Sequence, residues 1–148
     1  MLELSGIPIL TDFGQMRPLE PGNRDWWMPG LYRASEVLLN LPWGFPVDIW
    51  SIGVMTLELL EDKNLFGPID QTNNQYVLLL AMAQYIGYLG LPPLEMIKQS
   101  PLSMYFDGQG NRVSNSPIPQ TSFEDFVIPI PPGEEKDMFP RLELRRMK

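Results

Sequence analysis

Asp12, Phe13 and Gly14 close a short aliphatic run in "IPILTDFG", residues 7–14. A carboxylate at the end of such a run has two readings. It is an oxygen ligand for a hard metal cation at the mouth of a buried strand, or an acidic residue that starts a turn. The rest of the composition narrows the chemistry before it decides between them. The chain contains no histidine and no cysteine, which removes the commonest general base, the commonest zinc ligand and any thiolate. Acid–base work falls to Asp, Glu, Lys or Tyr.

The elements that must position Asp12 are read from periodicity and punctuation. Residues 7–11 form a short apolar run that predicts a buried strand. Residues 15–32 carry Pro, Gly and no sustained period, which predicts an extended loop. Ser35 is placed to cap a short helix through "EVLLNL", residues 36–41. The stretch 47–62 is the main helix expectation, with Asp48 as its cap. Its large apolar residues, from Ile49 and Trp50 through Leu59 and Leu60, cover more than one face. That pattern predicts a central helix buried nearly all round. A second helix is expected over residues 72–89, where Thr72 and Gln75 have capping-box spacing and Gly90 closes the end. "PPLEMIKQS" predicts a third, short helix, and "DGQGN" a turn within a connection that runs to residue 132. Residues 133–148 predict a last helix, acidic at its start and basic at its end.

The 148 residues suit one ordinary domain or part of a larger one. The 16 Pro and 12 Gly are dispersed, so the chain is rich in loops but not repetitive. The net charge of −7 argues against nucleic-acid binding, because the one dense basic stretch is Arg141, Arg145, Arg146 and Lys148. The N-terminus has no basic region and too short an apolar run for a signal peptide or a membrane span. The expected setting is intracellular, cytoplasmic or nuclear, without a membrane partner.

Order settles what composition leaves open. After the Asp-Phe-Gly come "YRASEVLL" at 32–39 and "DIWSIGVMTLELL" at 48–60. This ordered set resembles the eukaryotic protein kinases. There an Asp-Phe-Gly motif opens the activation segment, an Ala-Pro-Glu motif closes it, and an Asp-x-Trp-Ser-x-Gly helix lies beneath. The resemblance runs from about Ile7 to Phe139, with its motifs between Ile9 and Phe66. The Tyr32-Arg33 pair, "LGLPP" at 89–93 and the insert that follows are similar to the CMGC group. Within that group, "DIWSIGVMTLELLEDKNLFGPID" and "IPIPPGEEKDMF" are similar to fungal SR-protein kinases.

The resemblance implies a mainly α fold, part of a protein-kinase-like C-terminal lobe. It assigns 7–36 to a strand end and activation segment and 47–62 to the central helix. It assigns 72–132 to a helix with a CMGC-type insert and 133–148 to a truncated last helix. Asp12 is implied to hold the magnesium of Mg-ATP, beside Phe13 and Gly14. Tyr32, Arg33 and Ala34 are implied to form the loop that docks a protein substrate, here one rich in Arg and Ser. Glu36, Asp48, Trp50 and Gly53 are implied to be structural, with Gly53 permitting close helix contact. Glu36 normally pairs with an arginine near the end of the domain; the resemblance implies that the chain ends before that arginine and leaves Glu36 unpaired, with substitution by Arg145 or Arg146 as the alternative. The Ala-Pro-Glu triplet reads Ala34-Ser35-Glu36. The H-R-D-x-x-x-x-N loop requires a histidine that this chain does not have, and no Gly-rich loop precedes Asp12. The expectation is a transferase-family chain that neither transfers phosphate nor binds Mg-ATP tightly alone and lacks an N-terminal lobe. The alternative is a non-catalytic docking or decoy module.

Overall fold

The computed structural model describes residues 9, 11, 13–18, 20, 22–113 and 117–127. It is mainly helical, with one small two-stranded sheet. The 3-10 turns Phe13–Gln15 and Gly30–Tyr32 come first, followed by helices α1 (Ser35–Leu38) and α2 (Pro46–Glu61). Strands β1 (Ile69–Asp70) and β2 (Gln75–Tyr76) precede α3 (Leu78–Leu89), α4 (Leu94–Gln99) and α5 (Phe123–Phe126). Among the described residues no helix is long and apolar enough to cross a membrane.

Helix α2 departs from its expected burial. Only Val47 and Val54 are buried, while Trp50 and Leu57 are half-buried against the core. Ile49 is 70 % exposed, Ile52 55 %, Leu59 81 % and Leu60 69 %. Phe45 before the helix, Ile49, Ile52, Met55 within it and Leu59 recur at intervals of three and four on one face, with Leu60 at its edge. Apolar residues all round the helix meet only one packed wall among the described residues. Gly53, expected at a close helix contact, has open space around it.

Local chemistry accounts for the other differences. Pro46 starts α2 at a position that needs no backbone donor, so Asp48 lies inside the first turn and Phe45 is the cap residue. Ala34 takes the extended N-cap conformation of α1, and the Ser35 hydroxyl donates to Glu36 Oε2 at 3.1 Å instead of capping. The expected helix start at residue 72 is a hairpin. β1 and β2 pair antiparallel, Ile69 opposite Tyr76, around a turn in which Asn74 has a positive φ of 54°. Asp70 accepts from the Thr72 amide at 2.8 Å, and Asn73 from the Gln75 amide at 3.1 Å. Short polar side chains that bond the backbone two residues on favour turns over helix. Most of the 7–11 strand expectation lies outside the described residues. Ile9 and Thr11 belong to no strand, and Ile9 is 80 % exposed, not buried.

The core lies between α2, α3 and the segments that return to them. Leu38, Leu39 and Leu41 meet Met82 and Ile86 of α3, with Ile97 and Phe106 below. An aromatic stack runs through it. Phe66 and Tyr85 lie face to face at 4.1 Å, and Trp50 stacks on Tyr85 at 5.7 Å. Tyr88 meets Phe66 edge-on at 5.6 Å and reaches Phe123 of α5 at 5.2 Å. Offset and edge-on pairs add to the area these rings bury. Segment 117–121 crosses α3 at Gly87, where a Cβ would stand 2.7 Å from the Pro119 carbonyl oxygen. Ser100 is buried, and its hydroxyl donates to the Leu39 carbonyl and accepts from the Leu102 amide. The turn at 107–111 forms as its sequence predicts. Asp107 accepts from the Gln109 and Asn111 amides and the Asn111 side chain, and Gly110 takes a φ of +85°. These bonds hold the Asp107 carboxyl below its ordinary value, the Asn111 side chain contributing most.

Candidate functional site

Tyr32, Arg33 and Ala34 sit between the turn Gly30–Tyr32 and α1, and three bonds fix their backbone and side chains. The Tyr32 hydroxyl donates to Glu58 Oε2 on α2 at 3.0 Å. Ser51, on the same helix α2, donates to the Tyr32 carbonyl at 3.3 Å and to the Val47 carbonyl at 3.2 Å. Tyr85 of α3 donates its hydroxyl to the Arg33 carbonyl. Ala34 is fully buried with Val37 and Val47. The loop is therefore bolted to both long helices. Glu58 also accepts the Leu65 amide at 2.9 Å, so one carboxylate ties the loop to the chain leaving α2. Charge-assisted bonds of this kind are shorter and stronger than neutral ones.

Arg33 points away from these bonds into aromatic surroundings. Its guanidinium lies 4.7 Å from the centre of the Tyr76 ring and 5.0 Å from that of Trp26. Such placement attracts the cation to the ring faces. Arg33 Nε, Trp50 Nε1 and Tyr76 Oη are buried there with no hydrogen-bond partner among the described residues. Burial raises the Tyr76 phenol, and the neighbouring Arg33 offsets part of the rise. Burial drives the Tyr85 phenol far above its ordinary value. Tyr32 is raised mainly by its bond to Glu58. All three tyrosines are hydrogen-bond donors or buried rings at neutral pH, not bases.

The remaining residues of interest are spread out. Phe13 and Gly14 lie in the exposed turn Phe13–Gln15, Phe13 with 56 % of its surface open. Asp12 lies outside the described residues, as do Arg145 and Arg146. Glu36 makes no ion pair among the described residues; it accepts from Ser35. Asp48 is exposed on α2, and Trp50 is an aromatic anchor in the core. Sequence reasoning missed Glu58, Ser51, Tyr85 and Tyr76. Glu58 carried a signal, because it is the one ionisable residue in the apolar run 49–60. Among the described residues no three acidic side chains converge on a metal position.

Comparison with known proteins decides the lineage. A model of the protein kinase domain matches residues 2–107. The chain belongs to the protein kinase family. This kinase-family chain is 36 % identical over 138 residues to a serine/threonine protein kinase of Aspergillus fumigatus, covering 90 % of this chain and 34 % of the relative. It is 36 % identical over 81 residues to cGMP-dependent protein kinase 2 of Mus musculus, 53 % of this chain and 11 % of that one. It is also 36 % identical over 75 residues to dual specificity tyrosine-phosphorylation-regulated kinase 3 of Mus musculus, 51 % of this chain and 12 % of that one. The chain spans about a third of the length of the Aspergillus relative or less of the others. The helical fold with its small sheet is consistent with part of a protein kinase fold.

Proposed function

We propose that this chain is the activation-segment and docking portion of the C-terminal lobe of a protein serine/threonine kinase, with Tyr32, Arg33 and Ala34 as the substrate loop. The observation that carries this is the fixing of that loop to α2 and α3 through Glu58, Ser51 and Tyr85. A docking loop orients a hydroxyl for attack only if it is itself rigid, since misplacement by an ångström costs orders of magnitude in rate. The activity is transfer of the γ-phosphoryl group of Mg-ATP to a protein hydroxyl, with Asp12 contributing one magnesium ligand. Tyr32-Arg33, "LGLPP" and the insert support a CMGC, SR-protein-kinase-like member with Arg/Ser-rich substrates in the cytoplasm or nucleus. The open face of α2 supports a lobe that packs against further kinase-domain structure. Phosphoryl transfer belongs to that larger assembly. A phosphotransfer assay on the purified 148-residue chain with Mg-ATP and an Arg/Ser-rich peptide is expected to show no turnover above background. Turnover by the chain alone overturns this reading.

The same rigid loop favours a second reading, a non-catalytic docking or decoy module, because it needs no ATP to present its surface. Under that reading the Arg/Ser-rich peptide binds the chain without ATP and weakens as salt rises. Absence of binding at every salt concentration removes it.

A further inference from the structure

A hollow of about 100 Å³ lies between Trp43 and the described residues of the 17–27 loop. Trp27 and Trp43 line it together with Arg17, Glu20 and Asp25. Both tryptophans are half-buried, and Glu20 and Asp25 are exposed. Bonds across the loop fix these walls. The Trp43 amide donates to the Asn23 carbonyl at 3.0 Å, and the Asn23 amide to the Glu20 carbonyl at 3.3 Å. The Trp43 indole N–H donates to the Asp25 carbonyl at 3.0 Å. With its one polar atom so engaged, the Trp43 side chain offers the hollow only ring carbon.

One cation already uses this place. The Arg17 guanidinium carbon lies 3.6 Å from the centre of the Trp27 ring, well within reach of a cation–π contact. With Arg17 swung aside, the aromatic and charged lining among the described residues is two indoles and two carboxylates. Ring faces and negative charge both attract a cation. A ring face is a poor acceptor, however, for the N–H bonds that an ammonium or guanidinium gives up on leaving water. A quaternary ammonium has no N–H to satisfy, so it loses least on entering.

We propose that this hollow is a binding site for a quaternary ammonium group, which displaces Arg17 from the Trp27 ring and sits against the two indoles, with Glu20 and Asp25 supplying the opposite charge. Arg17 is then a resident competitor that keeps weaker cations out, because a tethered group competes at a high effective concentration. The site shares no residue with the Tyr32–Ala34 loop, and its occupation requires neither ATP nor phosphoryl transfer. Two sources carry such a group, a trimethylated lysine of a protein partner and a small free amine.

The test uses the full chain with a fluorescein-labelled peptide carrying one trimethyl-lysine, followed by anisotropy, and with choline, followed by tryptophan fluorescence. Saturable binding is expected. The same peptide with plain lysine or arginine in that position binds about tenfold more weakly or worse. Trp27→Leu or Glu20→Gln weakens binding about fivefold, and Arg17→Gln, which removes the competitor, strengthens it by a similar factor. The peptide series and the two variants at exposed positions keep the test readable should Trp27→Leu fail to fold. Choline as tight as the peptide upholds the site and assigns it to a small amine. Choline about tenfold weaker upholds it and assigns it to a modified lysine. Binding of neither probe, equal binding of the lysine or arginine peptide, indifference of a folded Trp27→Leu chain, or weakening by Arg17→Gln overturns the proposal.

Discussion

Two substitutions on α2, five residues apart, separate a helix packed on one side from one buried all round. Leu59 is 81 % exposed, so about a fifth of its surface is covered. Full burial of a leucine side chain is worth about 1.5–3 kcal/mol, and the covered share is therefore about 0.3–0.6 kcal/mol. Lysine has a helix propensity close to that of leucine, so Leu59→Lys is expected to cost no more than this share. Val54 is 4 % exposed in the core beside Phe66 and Tyr85. Val54→Ala removes two buried methyl groups, about 1.6 kcal/mol of transfer energy, and the unfilled space raises the loss to about 2–3 kcal/mol. Urea unfolding monitored by far-UV circular dichroism, extrapolated linearly to water, measures both. The larger change leaves the chain close to its wild-type stability, and the smaller one undermines it. If Leu59→Lys proved as damaging as Val54→Ala, the exposed face of α2 would be wrong. A lysine forced into a core would be more damaging still.

Further outcomes follow from the same geometry. In a double-mutant cycle, Tyr32→Phe and Glu58→Gln are expected to couple by about 1 kcal/mol, their bond being partly screened by solvent; additive losses in urea unfolding would sever the loop from α2. Gly110→Ala places a Cβ 2.8 Å from Leu94 Cδ2 at a φ of +85°, and is expected to lower the thermal midpoint by a cost of about 1–2 kcal/mol. The urea midpoint is also expected to fall as pH rises above about 10, the unfolded tyrosine value. Tyr32, Tyr76, Tyr85 and Tyr88 all titrate above the ordinary tyrosine value of 10.0 when folded. The unfolded chain therefore loses those protons first, and the stability present below that value is lost as pH rises toward the folded values. A flat alkaline profile would show that these rings are not shielded.

The family was legible because its marks are local: Asp-Phe-Gly, Tyr-Arg-Ala-x-Glu and Asp-x-Trp-Ser-x-Gly each lie within a few residues, in order. Helices α2, α3 and α4 were legible in type for a related reason, since apolar density and the Gly90 and Pro93 punctuation act along the chain. Burial of α2 was not legible. An apolar pattern states which faces avoid water, and what is available to cover them is decided by the rest of the fold. The start of α3 was misread because Thr72 and Gln75 fit a capping box as well as a hairpin turn, and pairing between β1 and β2 decides the matter. Helix α5 was missed although "SFED" carries a capping signal, realised by the Asp125 amide donating to Ser122 Oγ at 3.0 Å. The grip of Glu58 on Tyr32 joins residues 26 apart, and no window on the sequence contains both ends.

The hydroxyl of Ser100 serves two masters 61 residues and two residues away along the chain, the Leu39 carbonyl and the Leu102 amide. Neither end of that clasp is content until the other arrives, so the 35–41 and 94–102 stretches should assemble, breathe and come undone together. Amide-exchange protection in those two stretches is thus expected to rise and fall in step, with the distant closure among the slower events of folding.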